Sequence, residues 1–201
     1  MIKLAFFPLF ILLCLNSVAF GAHKIVFIGD SLTEGYGIEQ KYSYPQLVEQ
    51  KLKKEGVSVE VINGGVSGST SASGLSRLKW FLKSKPTHVF LALGANDGLR
   101  GLKVSETQKN LAKIIEMAQE KKIKVILAGM KMPPNYGKEY TADFKKIFPA
   151  LAKKYDLPLV PLLIEKTAGR KEYNIQDGIH PNQKGHELIA QTVYPYIKKN
   201  L

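Results

Sequence analysis

The residues best suited to do chemistry stand near the two ends of the chain. Gly29-Asp30-Ser31-Leu32 directly follows an apolar run at residues 25–28, which predicts a buried strand. A serine just after a strand lies where open α/β sheets bind their ligands. Asp177 and His180 stand three positions apart near the other end. A hydroxyl, an imidazole and a carboxylate are the groups that nucleophilic acyl transfer requires, so the pattern predicts serine-hydrolase chemistry.

Ser31 has a structural alternative, because serines that follow strands often cap helices. The preceding Gly29 favours the catalytic interpretation, since glycine permits the tight turn that would present a hydroxyl. The chain lacks the Gly-x-Ser-x-Gly elbow of α/β-hydrolases, because Gly65-Val66-Ser67-Gly68-Ser69 has no final glycine. Ser31 is therefore the preferred nucleophile.

The chain has four histidines that must be compared as candidates for the base: His23, His88, His180 and His186. The first precedes a predicted strand, the second opens one and the fourth lies on a helix, so a structural or solvated role is expected for these three. Only His180 has a carboxylate three residues before it, and a loop of that length can return Asp177 to the imidazole and fix its tautomer. The alternative is that Asp177 caps the following helix and that His180 is a surface residue.

Acyl transfer also needs hydrogen-bond donors for the developing oxyanion, and two segments offer them. Asn63-Gly64-Gly65-Val66-Ser67-Gly68 follows the second predicted strand, and its glycines let backbone amides approach a ligand. Gly94-Ala95-Asn96-Asp97-Gly98 follows the third, where Asn96 would donate its side-chain amide. Glycine and asparagine are also turn residues, so plain turns are the structural alternative.

The chain alternates apolar runs with amphipathic stretches, which is typical of a parallel sheet covered by helices on both faces. The apolar runs predict strands at residues 24–29, 57–63, 87–93, 124–130 and 157–161. The amphipathic stretches predict helices at residues 43–54, 73–82, 105–121 and 142–155, with a last helix from Pro181 toward Tyr196. In the third of these, Ser105 and Gln108 are predicted to form a capping box.

The four segments, in their order along the chain, resemble the signature blocks of the SGNH (GDSL-type) hydrolase superfamily. Gly29-Asp30-Ser31-Leu32 resembles the nucleophile block, Gly68 the glycine block, Gly94-Ala95-Asn96-Asp97 the asparagine block, and Asp177 with His180 the last. The resemblance implies an α/β fold, a flavodoxin-like three-layer sandwich with a five-stranded parallel sheet. One departure is alanine at the second position of the asparagine block, where relatives often have glycine, and it removes no donor.

The resemblance also implies a role for each site residue. Ser31 would be the nucleophile, His180 its base and Asp177 the partner of the base. The oxyanion hole would comprise the amides of Ser31 and Gly68 together with the Asn96 side chain. The implied reaction is the hydrolysis of carboxylic esters and thioesters, including aryl esters, acyl-CoA-type thioesters and lysophospholipids, through an acyl-enzyme.

The substrate side is less defined by the sequence. Leu99, Leu102 and Met132 are candidates for lining an acyl groove, with helix packing as an equally open role. No metal ion or organic cofactor is expected, because the chain shows no clustered histidine and cysteine spacing. Two other functions stay open: a carbohydrate O-acetyl esterase of the same superfamily and, more distantly, a flavodoxin-like phosphate-binding module that uses residues 64–68 as its cradle.

Residues 1–21 have the pattern of a secretory signal peptide, with a basic start, an apolar stretch at residues 4–15 and small residues after it. The stretch is shorter than the roughly 20 residues that cross a bilayer, so cleavage is expected rather than anchoring. Cleavage would remove Cys14, the only cysteine, and leave one hydrolase domain at residues 22–201 that is periplasmic or secreted.

The formal net charge of +12 is the unusual feature of an otherwise ordinary composition. Such a charge attracts anionic substrates and favours transient contact with an anionic membrane surface. Nucleic-acid binding is not expected, because the chain has neither a basic stripe with interleaved aromatic residues nor a known binding motif. A monomer that acts on small acyl esters or thioesters is the expected form.

Overall fold

A computed structural model describes residues 22–201. Five parallel strands form one sheet in the order β2-β1-β3-β4-β5. The strands are β1 (His23–Gly29), β2 (Val59–Gly65), β3 (His88–Ala92), β4 (Lys124–Ala128) and β5 (Leu159–Val160). The helices are α1 (Ser31–Glu34), α2 (Tyr44–Lys54), α3 (Gly74–Phe81), α4 (Ala95–Leu99), α5 (Val104–Glu120), α6 (Lys138–Tyr155) and α7 (Gln183–Asn200).

The helices cover both faces of the sheet. Helices α2 and α7 pack together on one face, while α3, α5 and α6 pack side by side on the other. Strand β3 is buried along its whole length, and β1 is buried from Ile25 onward, as expected for central parallel strands whose two faces are both covered. The predicted three-layer α/β fold with a five-stranded parallel sheet is confirmed.

The predicted elements differ from the observed ones mainly at their ends. The fifth strand shrinks to Leu159–Val160, because Pro158 and Pro161 on either side have no N–H to add to the ladder. The last helix passes through Pro195 and ends at Asn200, beyond its predicted end. Proline removes only one helical N–H, and the packing of the helix against α2 keeps the following turn helical.

The predicted capping box is wrong. Helix α5 begins at Val104, so Ser105 lies inside its first turn, and the N-cap residue is Lys103, which makes no side-chain capping bond. The apolar side of α5 is nevertheless buried, with Leu111 and Ile114 fully inaccessible. Tertiary burial of that side therefore stabilises α5 without a side-chain cap.

Two short helices at the carboxyl edge of the sheet, α1 and α4, were not predicted from the sequence. Each has five residues or fewer, which is too short to show helical periodicity. Within residues 22–201 no helix combines the length and the apolar character that crossing a bilayer requires. The predicted signal peptide lies outside the described residues.

Candidate active site

Ser31 is the first residue of α1, and only Asp30 separates it from the end of β1. Asp30 is the N-cap of this helix, and its Oδ1 accepts a hydrogen bond from the Leu32 amide at 3.0 Å. Gly29 is required here, because a Cβ at that position would lie 1.9 Å from Thr33 Oγ1. The Ser31 amide stands at a helix N-terminus, where backbone N–H groups lack intrahelical acceptors and can bind an anion.

The structure brings Ser31, His180 and Asp177 into one hydrogen-bonded chain. His180 Nε2 lies 3.0 Å from Ser31 Oγ, and His180 Nδ1 lies 2.6 Å from Asp177 Oδ2. The second carboxylate oxygen, Oδ1, accepts the backbone amides of Ile179 and His180 at 2.9 Å each. The two backbone amides and the imidazole lower the pKa of Asp177 to about 2, and the backbone amide of His180 has the largest effect. The carboxylate is therefore ionised at any ordinary pH and fixed in orientation.

The loop that carries His180 is held by main-chain bonds at its base. The Ile175 amide donates to the His180 carbonyl at 2.8 Å, and Asn174 pairs with Pro181 as an isolated antiparallel bridge. Helix α7 follows, and its N-cap is Asn182, whose side chain accepts the Gly185 amide at 3.0 Å. Asp177 is thus not the cap of this helix, and its carboxylate serves the loop and the imidazole.

The predicted oxyanion donors Gly68 and Asn96 lie on the segments that follow β2 and β3. Asn96 is in α4, and its Nδ2 donates to the Ser69 carbonyl at 3.0 Å. Gly68 directly precedes Ser69 in the loop at residues 66–71, which follows β2. Its φ of 74° is one that a residue with a side chain adopts only with strain. The loop also meets the end of β1, because the Val66 amide donates to the Gly29 carbonyl at 3.2 Å.

Three charged side chains that hold the 66–71 loop were missed by sequence reasoning. The Glu34 carboxylate accepts both the amide and the hydroxyl of Ser67, the amide at 2.8 Å. Arg100 donates to the Gly68 carbonyl at 2.9 Å. The buried Asp97 carboxylate accepts the Ser71 amide at 2.8 Å and its hydroxyl at 2.5 Å. An acid directly after Asn96 was visible in the sequence, but its partner 26 positions away was not.

The Glu34 contact also bears on the phosphate-cradle alternative. A phosphate site in this loop would need backbone amides aimed at the anion and a field that attracts it. The Ser67 amide is already donated to a carboxylate, which would repel a phosphate. The geometry of residues 64–68 therefore favours a loop that is held in place by the protein rather than one that binds an anionic group.

The carboxylate of Asp30, the residue before Ser31, is almost fully buried. Burial is the main cause that raises its pKa to about 6, and the amide of Leu32 and the charges of His180 and Arg77 act against that rise. The Arg77 guanidinium donates to the Gly29 carbonyl at 2.9 Å. Arg77 thus fixes the backbone turn that leads into Ser31.

The three candidates for an acyl groove lie close together but differ in exposure. Leu99 and Leu102 are 42% and 40% exposed, and their carbonyls accept the hydroxyls of Tyr136 and Tyr140 at 3.2 and 2.8 Å. Met132 is half-buried and packs against the core and against α4, where a Cβ on Gly98 would lie 2.3 Å from its sulfur. The first two face solvent near the site, while Met132 supports the helix that carries Asn96.

The other histidines lie away from the Ser31–His180 pair. His186 is fully buried on α7, and its Nδ1 accepts the Tyr44 amide at 3.2 Å. His88 Nε2 lies 3.0 Å from the Asn200 carbonyl, and the His23 ring contacts the His88 ring edge-on. These contacts join α7 to α2, β3 to the end of α7, and β1 to β3, so the three histidines have structural roles.

Comparison with known proteins gives a consistent result. The model of the GDSL-like Lipase/Acylhydrolase family matches residues 27–188. The arylesterase of Vibrio mimicus is 36% identical over 202 residues and the match covers all of both chains. The thioesterase 1/protease 1/lysophospholipase L1 of Escherichia coli (strain K12) is 35% identical, with 91% of this chain and 87% of that protein covered.

The fold comparison agrees with the sequence comparison. The crystal structure of TesA superposes with a TM-score of 0.85 at 34% identity, and the match covers 89% of this chain and all of that one. The resemblance to GDSL-type hydrolases is thereby confirmed, and the chain belongs to the GDSL-like lipase/acylhydrolase family and is a hydrolase of ester bonds.

Proposed function

We propose that the chain cleaves carboxylic esters and thioesters through an acyl-enzyme on Ser31, with His180 as general base and Asp177 as its partner. The observation that carries this proposal is the hydrogen-bonded chain from the Asp177 carboxylate through the imidazole to the Ser31 hydroxyl. A hydroxyl is a weak nucleophile by itself, and an adjacent oriented base is what activates it.

In the first half-reaction, Ser31 Oγ forms a bond to the acyl carbon while His180 Nε2 takes the hydroxyl proton. The tetrahedral intermediate then collapses, the bond to the leaving alcohol or thiol breaks, and the imidazolium returns the proton to that group. The ionised Asp177 accepts the Nδ1 hydrogen throughout, so it stabilises the imidazolium without taking the proton itself.

The negative charge of the intermediate needs donors that are already in place. In the proposal these are the amides of Ser31 and Gly68 and the side chain of Asn96. One Asn96 N–H is used by the Ser69 carbonyl, and a primary amide has a second N–H for the oxyanion. Water then attacks the acyl-enzyme with His180 again as base, and the acid is released.

The names of the relatives and the exposed apolar surface at α4 support a substrate class. The relatives are named for aryl esters, thioesters and lysophospholipids, and we propose that this chain accepts acyl esters and thioesters of the same kinds. Leu99 and Leu102 supply exposed apolar surface for an acyl chain at α4.

We further propose that the enzyme is a monomer whose signal peptide at residues 1–21 is cleaved, and that it is periplasmic or secreted. Its positive charge would bring it into transient contact with anionic membrane surfaces.

The test is an activity profile over p-nitrophenyl esters of increasing chain length, which are aryl esters, together with an acyl-CoA, a lysophospholipid and an acetylated oligosaccharide. We expect turnover of the acyl esters and thioesters by the wild type and no activity of Ser31→Ala above background, with its fold intact. Turnover restricted to acetylated sugars would favour the carbohydrate esterase instead.

A serine-directed phosphonate identifies the nucleophile independently of substrate choice. We expect mass spectrometry to find the adduct on the peptide that contains Ser31. An adduct on another serine, or an active Ser31→Ala enzyme, would overturn the assignment.

A further inference from the structure

The aromatic ring of Tyr36 is half exposed, yet it lies directly against the imidazole of His180. The two ring centroids are 4.7 Å apart with their planes inclined by 45°. The Tyr36 side chain is 50% exposed, so its burial in the core does not account for this contact. Asp177 and Ser31 occupy the two nitrogens of the imidazole, and Tyr36 contacts the imidazole ring itself.

The backbone around Tyr36 is fixed by two glycines. Gly35 and Gly37 have φ values of 86° and 83°, which residues with side chains adopt only with strain. The amides of Gly35 and Tyr36 both donate to the Ser31 carbonyl at 3.1 Å. A Cβ on Gly37 would lie 2.7 Å from a methyl group of Ile175, whose amide is bonded to the His180 carbonyl. The turn at residues 35–37 is therefore hydrogen-bonded to Ser31 and lies against the loop that carries His180.

The contact between the Tyr36 and His180 rings matters most after the Ser31 hydroxyl proton has moved to His180. Once Ser31 Oγ is bonded to the acyl carbon, the Ser31–His180 hydrogen bond is lost and the Nε2 proton must point to the leaving group. The imidazolium is then held by the Asp177 carboxylate and by the Tyr36 ring. The face of an aromatic ring attracts a cation within about 6 Å of its centroid, and 4.7 Å is inside that range.

We propose that Tyr36 is a positioning residue for this reaction, whose ring holds the His180 imidazole in line and stabilises the imidazolium during acyl transfer. The inference rests on the proposed function, because it assigns His180 as the base. It makes a specific claim about chemistry: the aromatic ring is needed, while the hydroxyl of Tyr36 is not.

The test compares Tyr36→Leu with Tyr36→Phe on p-nitrophenyl acetate and on a longer acyl ester. We expect the leucine variant to lose about two- to fivefold in kcat, which is the factor that an exposed cation–π contact supplies, with little change in KM. The phenylalanine variant should keep nearly the wild-type kcat, because it retains the ring. Trp80→Leu is the matched control, since Trp80 is also an exposed aromatic residue, at 64%, and lies on α3.

Two outcomes would overturn the proposal. A wild-type kcat in Tyr36→Leu would show that the ring does not act on the imidazole. A loss confined to KM that grows with acyl-chain length would make Tyr36 a substrate contact. Urea denaturation of each variant excludes loss of folding as the cause. Failure of the proposed function is recognised separately, because Ser31→Ala would then remain active.

Discussion

At the scale of single residues, the site depends on side chains whose orientation is fixed before substrate arrives. Asn96 illustrates this, because its Nδ2 is anchored on the Ser69 carbonyl next to Gly68. A donor that is already oriented stabilises charge in the transition state without the cost of reorganisation. The same bond joins Asn96 to the residue that follows Gly68, so this proposed donor also links α4 to the 66–71 loop.

We predict that Asn96→Ala lowers kcat by about a hundred- to a thousandfold and changes KM much less, as removal of one oxyanion donor typically does. Steady-state kinetics on a p-nitrophenyl ester measures both constants. An equal free energy of unfolding in urea for the variant and the wild type would show that the loss is catalytic. A variant with near-normal kcat would leave Asn96 as a turn residue only.

At the scale of elements, close backbone approach sets the distance between α1, which begins at Ser31, and the 66–71 loop. Strand β2 ends at Gly65, where a Cβ would lie 2.0 Å from the Glu34 amide nitrogen of α1. Backbone atoms cannot give way as a flexible side chain can. The absence of a side chain at Gly65 therefore lets α1 lie against the end of β2, from which the 66–71 loop begins.

We predict that Gly65→Ala lowers the free energy of unfolding by about 1–3 kcal/mol, as overpacking of a tight site does, and lowers kcat as well. Gly56→Ala is the control, because a Cβ there meets nothing within 4 Å and only its φ of 80° opposes the substitution. That control should lose stability from backbone strain and keep its kcat. Equal kcat values for both variants and the wild type would contradict the spacing role of Gly65.

How far the sequence could predict these elements depended on their length. The long helices and the buried strands carry clear periodicity, whereas α1 and α4 are too short to show any. Ser31, Asp177 and His180 could be grouped from the sequence because a strand end and one short loop define their positions, and the structure joins them by hydrogen bonds. The partners of Asp97 and Tyr36 were not found, because contacts between distant loops depend on the packed fold and leave no local pattern.

At the scale of the whole molecule, two buried ionisable groups act on stability in opposite directions. Burial lowers the pKa of His186 to about 4 from its ordinary 6.5, so only the unfolded chain takes up this proton between those values, and stability falls as the pH falls through that window. Burial raises the pKa of Asp30 to about 6 from 3.8, so stability falls as the pH rises from about 4 to 6. The two effects largely cancel in the wild type.

We predict that His186→Asn removes the contribution of His186 to the pH dependence of stability and leaves that of Asp30. Asparagine keeps an acceptor for the Tyr44 amide but cannot take up a proton. The stability of the wild type relative to the variant should rise with pH from 4 to 6.5, by about 3 kcal/mol if the full pKa shift applies. Urea unfolding at several pH values measures the difference, and parallel curves for the two proteins would contradict it.

The hydrogen bond between Ser31 and His180 joins residues 149 positions apart, and this separation has a consequence for synthesis. A ribosome produces Ser31 well before His180, and folding proceeds from the N-terminal part first. Helix α7 follows His180 and packs on α2, so the loop of the base is secured only when the final helix has docked. A product that stops before His180 carries Ser31 without the imidazole proposed to activate it, and one that stops between His180 and α7 carries that imidazole on a loop that α7 has not yet secured.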